Sequence, residues 1–209
     1  IIIKPSALSP LSAYILGKII HDIDFPAGVV NILSGPTIEV ATTLSKSKIP
    51  AVLTMIGSTA TGQRVIADSA TSIKKLSMEL GGNAPFVVFE DAAIDKTLDL
   101  AIGIKFGNSG QICVAANRFF VHKSLYNSFL EKYVERVKSL TLGFGIDQKP
   151  DMGPMVTRND RDRMFDLIND AIEKGGVLLA GGEIPKGKEY GNWMRPTVIS
   201  GMTKEMRLF

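Results

Sequence analysis

The chain has 209 residues, 45% of them hydrophobic, with a formal net charge of +3 and no long basic run. That length allows one domain or parts of two with a sizeable core, and the interspersed charges argue against a nucleic-acid surface. A single cysteine excludes an internal disulfide, two histidines argue against a zinc site, and no run approaches the roughly 20 apolar residues of a membrane span, so a reducing cytoplasm is the expected compartment.

Strand and helix signals alternate, which predicts an α/β architecture. Ile1-Ile2-Ile3 reads as the end of a buried strand and lacks the pattern of a signal peptide. Neither it nor Met206–Phe209 looks like a natural terminus, so the chain is expected to be a central piece of a larger protein. Ser9-Pro10 reads as N-cap and first position of a packed helix over Leu11–Ile20. A short buried strand follows at Val29–Leu33, then a helix over 37–45, a strand over Ala51–Thr54, a helix opened by Gly57-Ser58, and a strand over Lys74–Glu79.

After Gly82 the spacing predicts a strand over Phe86–Phe89, a helix within Asp91–Phe106 and a strand over Arg118–Val121. Ser124 is expected to cap a helix whose apolar stripe is Tyr126, Phe129, Leu130, Tyr133, Val134 and Val137. Gly143–Pro154 reads as a loop. The cluster Arg158–Arg163 reads as a solvated helix start, and Met164, Phe165, Ile168, Ala171 and Ile172 as that helix's inner face. Gly175-Gly176 ends it. Val177–Ala180 and Trp193–Ile199 are predicted strands, the second at an edge because of Pro196.

Two short segments carry candidate chemistry. Cys113 ends Asn108-Ser109-Gly110-Gln111-Ile112-Cys113, and Glu79 opens Glu79-Leu80-Gly81-Gly82. An activated thiol is a nucleophile and a carboxylate a general base. Taken alone, Cys113 is equally well a buried structural cysteine, and Glu79 a surface residue at a strand end. Neither His21 nor His122 suits a Cys–His hydrolase. Lys4, at the end of the first strand, lies where α/β sheets bind ligands, although taken alone it is more simply a solvated lysine. Gly57-Ser58-Thr59-Ala60-Thr61-Gly62 joins a strand to a helix, whose first amides suit a phosphate, although it is neither a dinucleotide fingerprint nor a P-loop.

Together, Lys4-Pro5-Ser6, Pro26-Ala27-Gly28-Val29-Val30-Asn31, Gly57-Ser58-Thr59, Glu79-Leu80-Gly81-Gly82 and Gly110-Gln111-Ile112-Cys113 resemble, in order and spacing, the NAD(P)-dependent aldehyde dehydrogenase superfamily. The resemblance runs on through Gly153-Pro154 and Arg195-Pro196-Thr197-Val198. Around Cys113 it is most similar to the succinate-semialdehyde, lactaldehyde and glyceraldehyde dehydrogenase branch. It implies part of a Rossmann-like parallel-sheet cofactor domain over residues 1–80, followed by part of an α/β catalytic domain over 81–209.

The resemblance also implies the reaction, oxidation of a small aldehyde to a carboxylic acid with NAD or NADP. Cys113 would be the nucleophile, passing through a thiohemiacetal and a thioester, and Glu79 the base that activates water. Gln111, Ile112 and the Cys113 amide match the segment that shapes the oxyanion site. Cofactor contacts fall on Lys4, Ser6 and Ala7, on Gly35, on Gly57, Ser58 and Gly62, and on Leu80 and Gly81. No metal is implied, and the parent is expected to be a homodimer or homotetramer that binds neither nucleic acid nor membrane. The alternative is a non-catalytic nucleotide-binding or structural module.

Three departures stand out. Ala7 takes the place of a glutamate that repels a 2′-phosphate, which makes room for NADP as well as NAD. Met55-Ile56 replaces Phe-Thr. The family's oxyanion-binding asparagine, its nicotinamide-ribose glutamate and its oligomerisation strands match no segment of these residues. Arg118 suits either a carboxylated substrate or a structural salt bridge.

Overall fold

The computed structural model describes residues 1–146 and 149–209. Strands and helices alternate along them, and the chain divides into two compact units, Ile1–Gly81 and Gly82–Phe209.

In the first unit β1 (Ile2–Ile3) is followed by α1 (Leu11–Asp22) and β2 (Asn31–Ile32), and then by α2 (Thr37–Lys46), β3 (Val52–Gly57), α3 (Thr59–Asp68) and β4 (Lys75–Leu80). β1 pairs with β2 and β3 with β4, both in parallel. A parallel pair cannot be closed by a tight turn, so α1 and α3 serve as the crossovers. The register sets Leu53 beside Leu76, Met55 beside Met78 and Gly57 beside Leu80. Side chains alternate along a strand, so this set shares one face. Leu80 on that face meets Gly62 of α3, which leaves Ile56 and Glu79 on the opposite face.

This unit is less buried than its composition suggests. Ile1 and Ile2 are 75% and 50% exposed, and α1 has no buried residue. One side of α1 packs on β2, where a methyl on Gly17 would come within 2.8 Å of the Ile32 side chain. No described residue of the unit covers the other side. β2 is two residues long rather than the expected Val29–Leu33. The Asn31 side-chain amide donates to the Gly28 carbonyl at 2.9 Å and keeps the preceding residues in a turn. Pro10, expected at the first helical position, is the cap. Its carbonyl accepts from the Ala13 and Tyr14 amides, and Ser9 makes no capping bond.

The second unit runs through β5 (Ala84–Val88), α4 (Ile94–Phe106), β6 (Ala116–Val121), α5 (Tyr126–Ser139), α6 (Arg158–Glu173), β7 (Val177–Ala180) and β8 (Val198–Ser200). β5 and β6 are parallel, and β7 and β8 antiparallel. Its core is continuous: Val88, Leu98, Ala101, Phe106, Phe129, Tyr133, Val137 and Met152 are all buried. The α5 stripe supplies three of these at helical spacing, as expected, and Tyr126 lies at its exposed end. Tyr133 stacks on Phe129 and Phe106, and burial raises its phenol above the usual range. Asp95 and Asp99 of α4 pair with Lys132 and Arg136 of α5 across the helix surface.

Three local expectations differ. The Ser124 hydroxyl does not cap α5, because it bonds the His122 ring at 2.7 Å. The strand expected over Trp193–Ile199 is confined to β8. Pro196 has no N–H for the ladder, and the Arg195 amide is turned to the Glu183 carbonyl instead. Within the charged cluster that opens α6, Arg161 is only 7% exposed. It donates to the Gly191 carbonyl and to Asp162 rather than to solvent. Of the Gly143–Pro154 loop, Asp147 and Gln148 lie outside the described residues, while Leu142 bridges to Met152.

Candidate functional site

Cys113 is exposed, which removes the reading of it as a buried structural cysteine. It sits in the turn Ile112–Ala115, closed by the Ala115 amide on the Ile112 carbonyl at 3.0 Å. On the far side of the turn Ala115 and Ala116 are buried and lead into β6, so the turn is fixed at its C-terminal end by packing.

On the near side the backbone is unusual. Asn108, Ser109 and Gly110 have φ of 50°, 58° and 72° in succession. A non-glycine residue in this region costs of order 1–3 kcal/mol unless its surroundings over-determine it. Here they do. The Asn108 side chain donates to the Gln111 carbonyl, and the Ser109 hydroxyl donates to the Gly153 carbonyl at 2.8 Å. The Gln111 side chain accepts from the Val156 amide at 2.8 Å and donates to the Asn108 and Pro154 carbonyls at 3.2 and 3.5 Å. Gly110 admits no side chain, since a Cβ would stand 2.9 Å from the Lys105 carbonyl oxygen. The loop preceding the thiol is therefore fastened to Gly153–Val156.

A third constraint comes from the double glycine. A methyl group on Gly81 would meet open space, whereas one on Gly82 would lie 2.9 Å from the Cys113 carbonyl oxygen. Of the two motifs singled out in the sequence, the second glycine of one thus touches the backbone of the other.

In the first unit, Lys4, Ser6, Ala7 and Gly35 come together around a cavity of about 190 Å³, joined by Pro5, Pro10, Tyr14 and Ser34. The Lys4 ammonium donates to the Pro5 carbonyl and has no carboxylate partner among the described residues. The Ser6 hydroxyl accepts from the Leu8 amide. Val40 packs so near Gly35 that a Cβ there would be 3.0 Å from it. Ser58 is the N-cap of α3 and accepts from the Thr61 amide at 3.2 Å, leaving the Thr59 and Ala60 amides unengaged within the described residues. Gly57 ends β3 beside Leu80. Gly62 is buried against the Leu80 methyls, so its visible contribution is close helix–strand packing. Glu79 is exposed, with no hydrogen bond or ion pair among the described residues.

Arg118 does not form the expected salt bridge with any described residue; its Nε–H donates to the Asn83 carbonyl at 2.9 Å, and the guanidinium lies over the Phe120 ring. A cavity of about 810 Å³ in the second unit does not include Cys113 in its lining. Its walls run from Ser109, Gly110 and Gln111 of the thiol loop to core side chains such as Phe119, Phe129 and Ile168. No three His, Cys, Asp or Glu side chains among the described residues form a metal cluster, and no described helix is long and apolar enough to cross a membrane.

The sequence pointed to Cys113 and the small-cavity residues but not to the role of Ser109, nor to Gly153, Pro154 and Val156 as the anchor of the thiol loop. Gly153-Pro154 was visible there as a motif without a function. The polar Gln111 two residues before the thiol was the available signal.

The aldehyde dehydrogenase family model matches residues 1–209. The chain is 35% identical over its whole length to a 3,6-anhydro-alpha-L-galactose dehydrogenase from Vibrio sp. (strain EJY3), of which it covers 44%. It is 37% identical to the succinate-semialdehyde dehydrogenase [NADP(+)] GabD of Escherichia coli (strain K12), covering 95% of the chain and 41% of that protein. Among solved structures, the succinate-semialdehyde dehydrogenase from Burkholderia pseudomallei superposes with a TM-score of 0.94 at 35% identity, covering 99% of the chain and 42% of that structure. The chain thus spans well under half the length of the relatives it matches. Its motifs, its parallel strand pairs and these similarities agree along every part of it, and the chain belongs to the aldehyde dehydrogenase family.

Proposed function

We propose that the full-length protein oxidises a small aldehyde to the carboxylic acid with NAD(P)+, with Cys113 as nucleophile and Glu79 as general base. The observation that carries this reading is the exposed thiol of Cys113 on a turn that three separate contacts hold in place. A fixed nucleophile has already lost the orientational freedom that a reaction would otherwise have to remove.

The Cys113 thiol adds across the aldehyde carbonyl: sulfur forms the C–S bond of a thiohemiacetal, the carbonyl electrons move to oxygen, and the proton lost from sulfur goes to that oxygen. The nicotinamide, when bound, supplies the hydride acceptor that lets the adduct become a thioester. Glu79 takes a proton from a water whose oxygen attacks the thioester carbon. The C–S bond then breaks, the acid leaves and the thiol is regenerated. Splitting one difficult step into two easier ones is the advantage of the covalent route.

The residues around the 190 Å³ cavity fit the adenosine end of a dinucleotide. Lys4 supplies a cation without a competing carboxylate, and Ala7 adds no negative charge. This combination suits a 2′-phosphate, and GabD, a relative by sequence, is named for NADP(+). The first amides of α3, behind the Ser58 cap, suit the pyrophosphate. A panel of small aldehydes with NAD+ or NADP+, run on the full-length protein and on its Cys113→Ala variant, tests the proposal. Turnover by the native protein and none by the variant is the expected result. Sustained aldehyde oxidation by the variant overturns it.

A further inference from the structure

We propose that Gln111 is a positioning residue that holds the thiol loop, and not a donor to the reacting oxygen. This rests on the reading of Cys113 as nucleophile. A side-chain amide two residues before a nucleophile invites an oxyanion role, since two N–H bonds aimed at a developing negative charge stabilise it. The hydrogen bonds of this structure assign the amide elsewhere. Nε2 has two protons and two main-chain carbonyls within reach, those of Asn108 at 3.2 Å and Pro154 at 3.5 Å. The oxygen of the same amide accepts the Val156 N–H at 2.8 Å. No donor is left for a substrate.

These bonds place Gln111 between two backbone segments more than forty residues apart in sequence. It closes the left-handed stretch Asn108–Gly110 on one side and grips Pro154–Val156 on the other. The gripped segment is itself anchored. The Met155 amide donates to the Asn192 carbonyl at 2.9 Å, and the Asn192 side chain donates to the Val156 carbonyl at 3.2 Å. Asn192 precedes Trp193, which is 4% exposed. A line of hydrogen bonds therefore runs from the thiol loop, through Gln111 and the Val156 peptide, to Asn192, the residue before a buried tryptophan.

The two roles make opposite demands on substitution. A glutamate at 111 keeps the oxygen that receives the Val156 amide but lacks both donors, and its charge repels an oxyanion. A methionine keeps the shape and loses every polar contact. The test measures kcat and KM for Q111M, Q111E and N192A in the full-length protein, with the fold of each checked by circular dichroism and thermal melting. A positioning role predicts that Q111M lowers kcat tenfold or more with KM within twofold. It also predicts that Q111E recovers part of that loss and that the remote N192A lowers kcat several-fold. Q111E as slow as Q111M or slower, with N192A at the native rate, would identify an oxyanion donor and overturn the proposal. So would native kcat in Q111M. Should Q111M not fold, the Q111E and N192A pair carries the same comparison. Cys113→Ala run in parallel separates the two readings: an active Cys113→Ala enzyme sinks the thiol mechanism, whereas an inactive one beside a fully active Q111M sinks only the role of Gln111.

Discussion

Gly82 lies so close to the backbone of Cys113 that a single methyl group there would stand 2.9 Å from the Cys113 carbonyl oxygen. Contacts this short do not persist, so one of the two main-chain segments must move. Neither is free to. Gly82 leads into β5, and Cys113 is held by the Ile112–Ala115 turn in front of β6. The Gly82→Ala variant is expected to lose about 1–3 kcal/mol of stability from overpacking. Its kcat should fall by about tenfold or more, because small displacements of a reacting group are costly. Urea unfolding and steady-state kinetics on the full-length protein measure both. The contact is also reason for a second glycine after Glu79-Leu80, since Gly81 alone would meet open space with a side chain.

The two carbon–sulfur steps of the proposed reaction predict different behaviour for the carboxylate. Formation of the thioester requires the thiol, whereas its hydrolysis requires an activated water. Glu79→Gln should therefore release one equivalent of reduced cofactor per site in a rapid burst, then turn over more slowly by on the order of 100-fold or more. Rapid mixing with absorbance detection follows the burst. A variant with no burst at all would assign Glu79 to the first step.

Much of this was legible in the sequence because it is local. The parallel units follow from alternating strand and helix signals, and the core of α5 from the spacing of Phe129, Tyr133 and Val137. Ser58 was readable as the start of α3, since a serine after a strand-ending glycine offers its hydroxyl to the first turn. The same logic failed at Ser124, where the nearer imidazole of His122 takes the hydroxyl. It failed at Arg161, which looked solvated among its charged neighbours until the Gly191 carbonyl, thirty residues on, took its guanidinium. The fastening of Ser109 and Gln111 to Gly153–Val156 was hidden for the same reason: both partners are distant in sequence, and one of them is main chain with no side-chain signature. Exposure of α1 was hidden in another way. An apolar helix announces that it wants cover, not whether the described residues supply it.

Cofactor choice provides a prediction for the first unit. Lys4 and Ala7 line one small cavity, with a cation present and no carboxylate among its lining residues. A glutamate at position 7 would add a negative charge beside the site proposed for the 2′-phosphate. Two unit charges 4 Å apart interact by roughly 4 kcal/mol at an effective dielectric constant near 20, more than the 1.4 kcal/mol or so that corresponds to tenfold. Ala7→Glu is expected to lower kcat/KM for NADP+ at least tenfold while leaving NAD+ unchanged or improved. Lys4→Met should weaken NADP+ more than NAD+. Equal losses for both cofactors would place the 2′-phosphate elsewhere.

The last prediction concerns Lys105, which ends α4 just before the thiol loop. Its ammonium donates to the Asn117 side chain at 2.5 Å, and burial lowers its pKa below the ordinary 10.5. Desolvation disfavours the charged form, and no carboxylate pairs with it among the described residues. The sign of the linkage follows. Between the lowered folded value and 10.5, the unfolded chain binds the proton that the folded chain has released, so the contribution of this amine to stability rises with pH across that window. Below the folded value both states hold the proton and the slope vanishes. Lys105→Met removes the group and should flatten this part of the profile. Its effect on stability should favour the variant most at neutral pH, where the native chain still keeps a desolvated ammonium. The check is urea unfolding of both proteins at several pH values from neutrality upward. A stability difference between the native and Lys105→Met proteins that does not change with pH in this range would show that burial of the amine does not govern it. Because the Lys105 carbonyl is what excludes a side chain from Gly110, the comparison also shows whether the loop tolerates a change in the side chain while the main-chain contact stays intact.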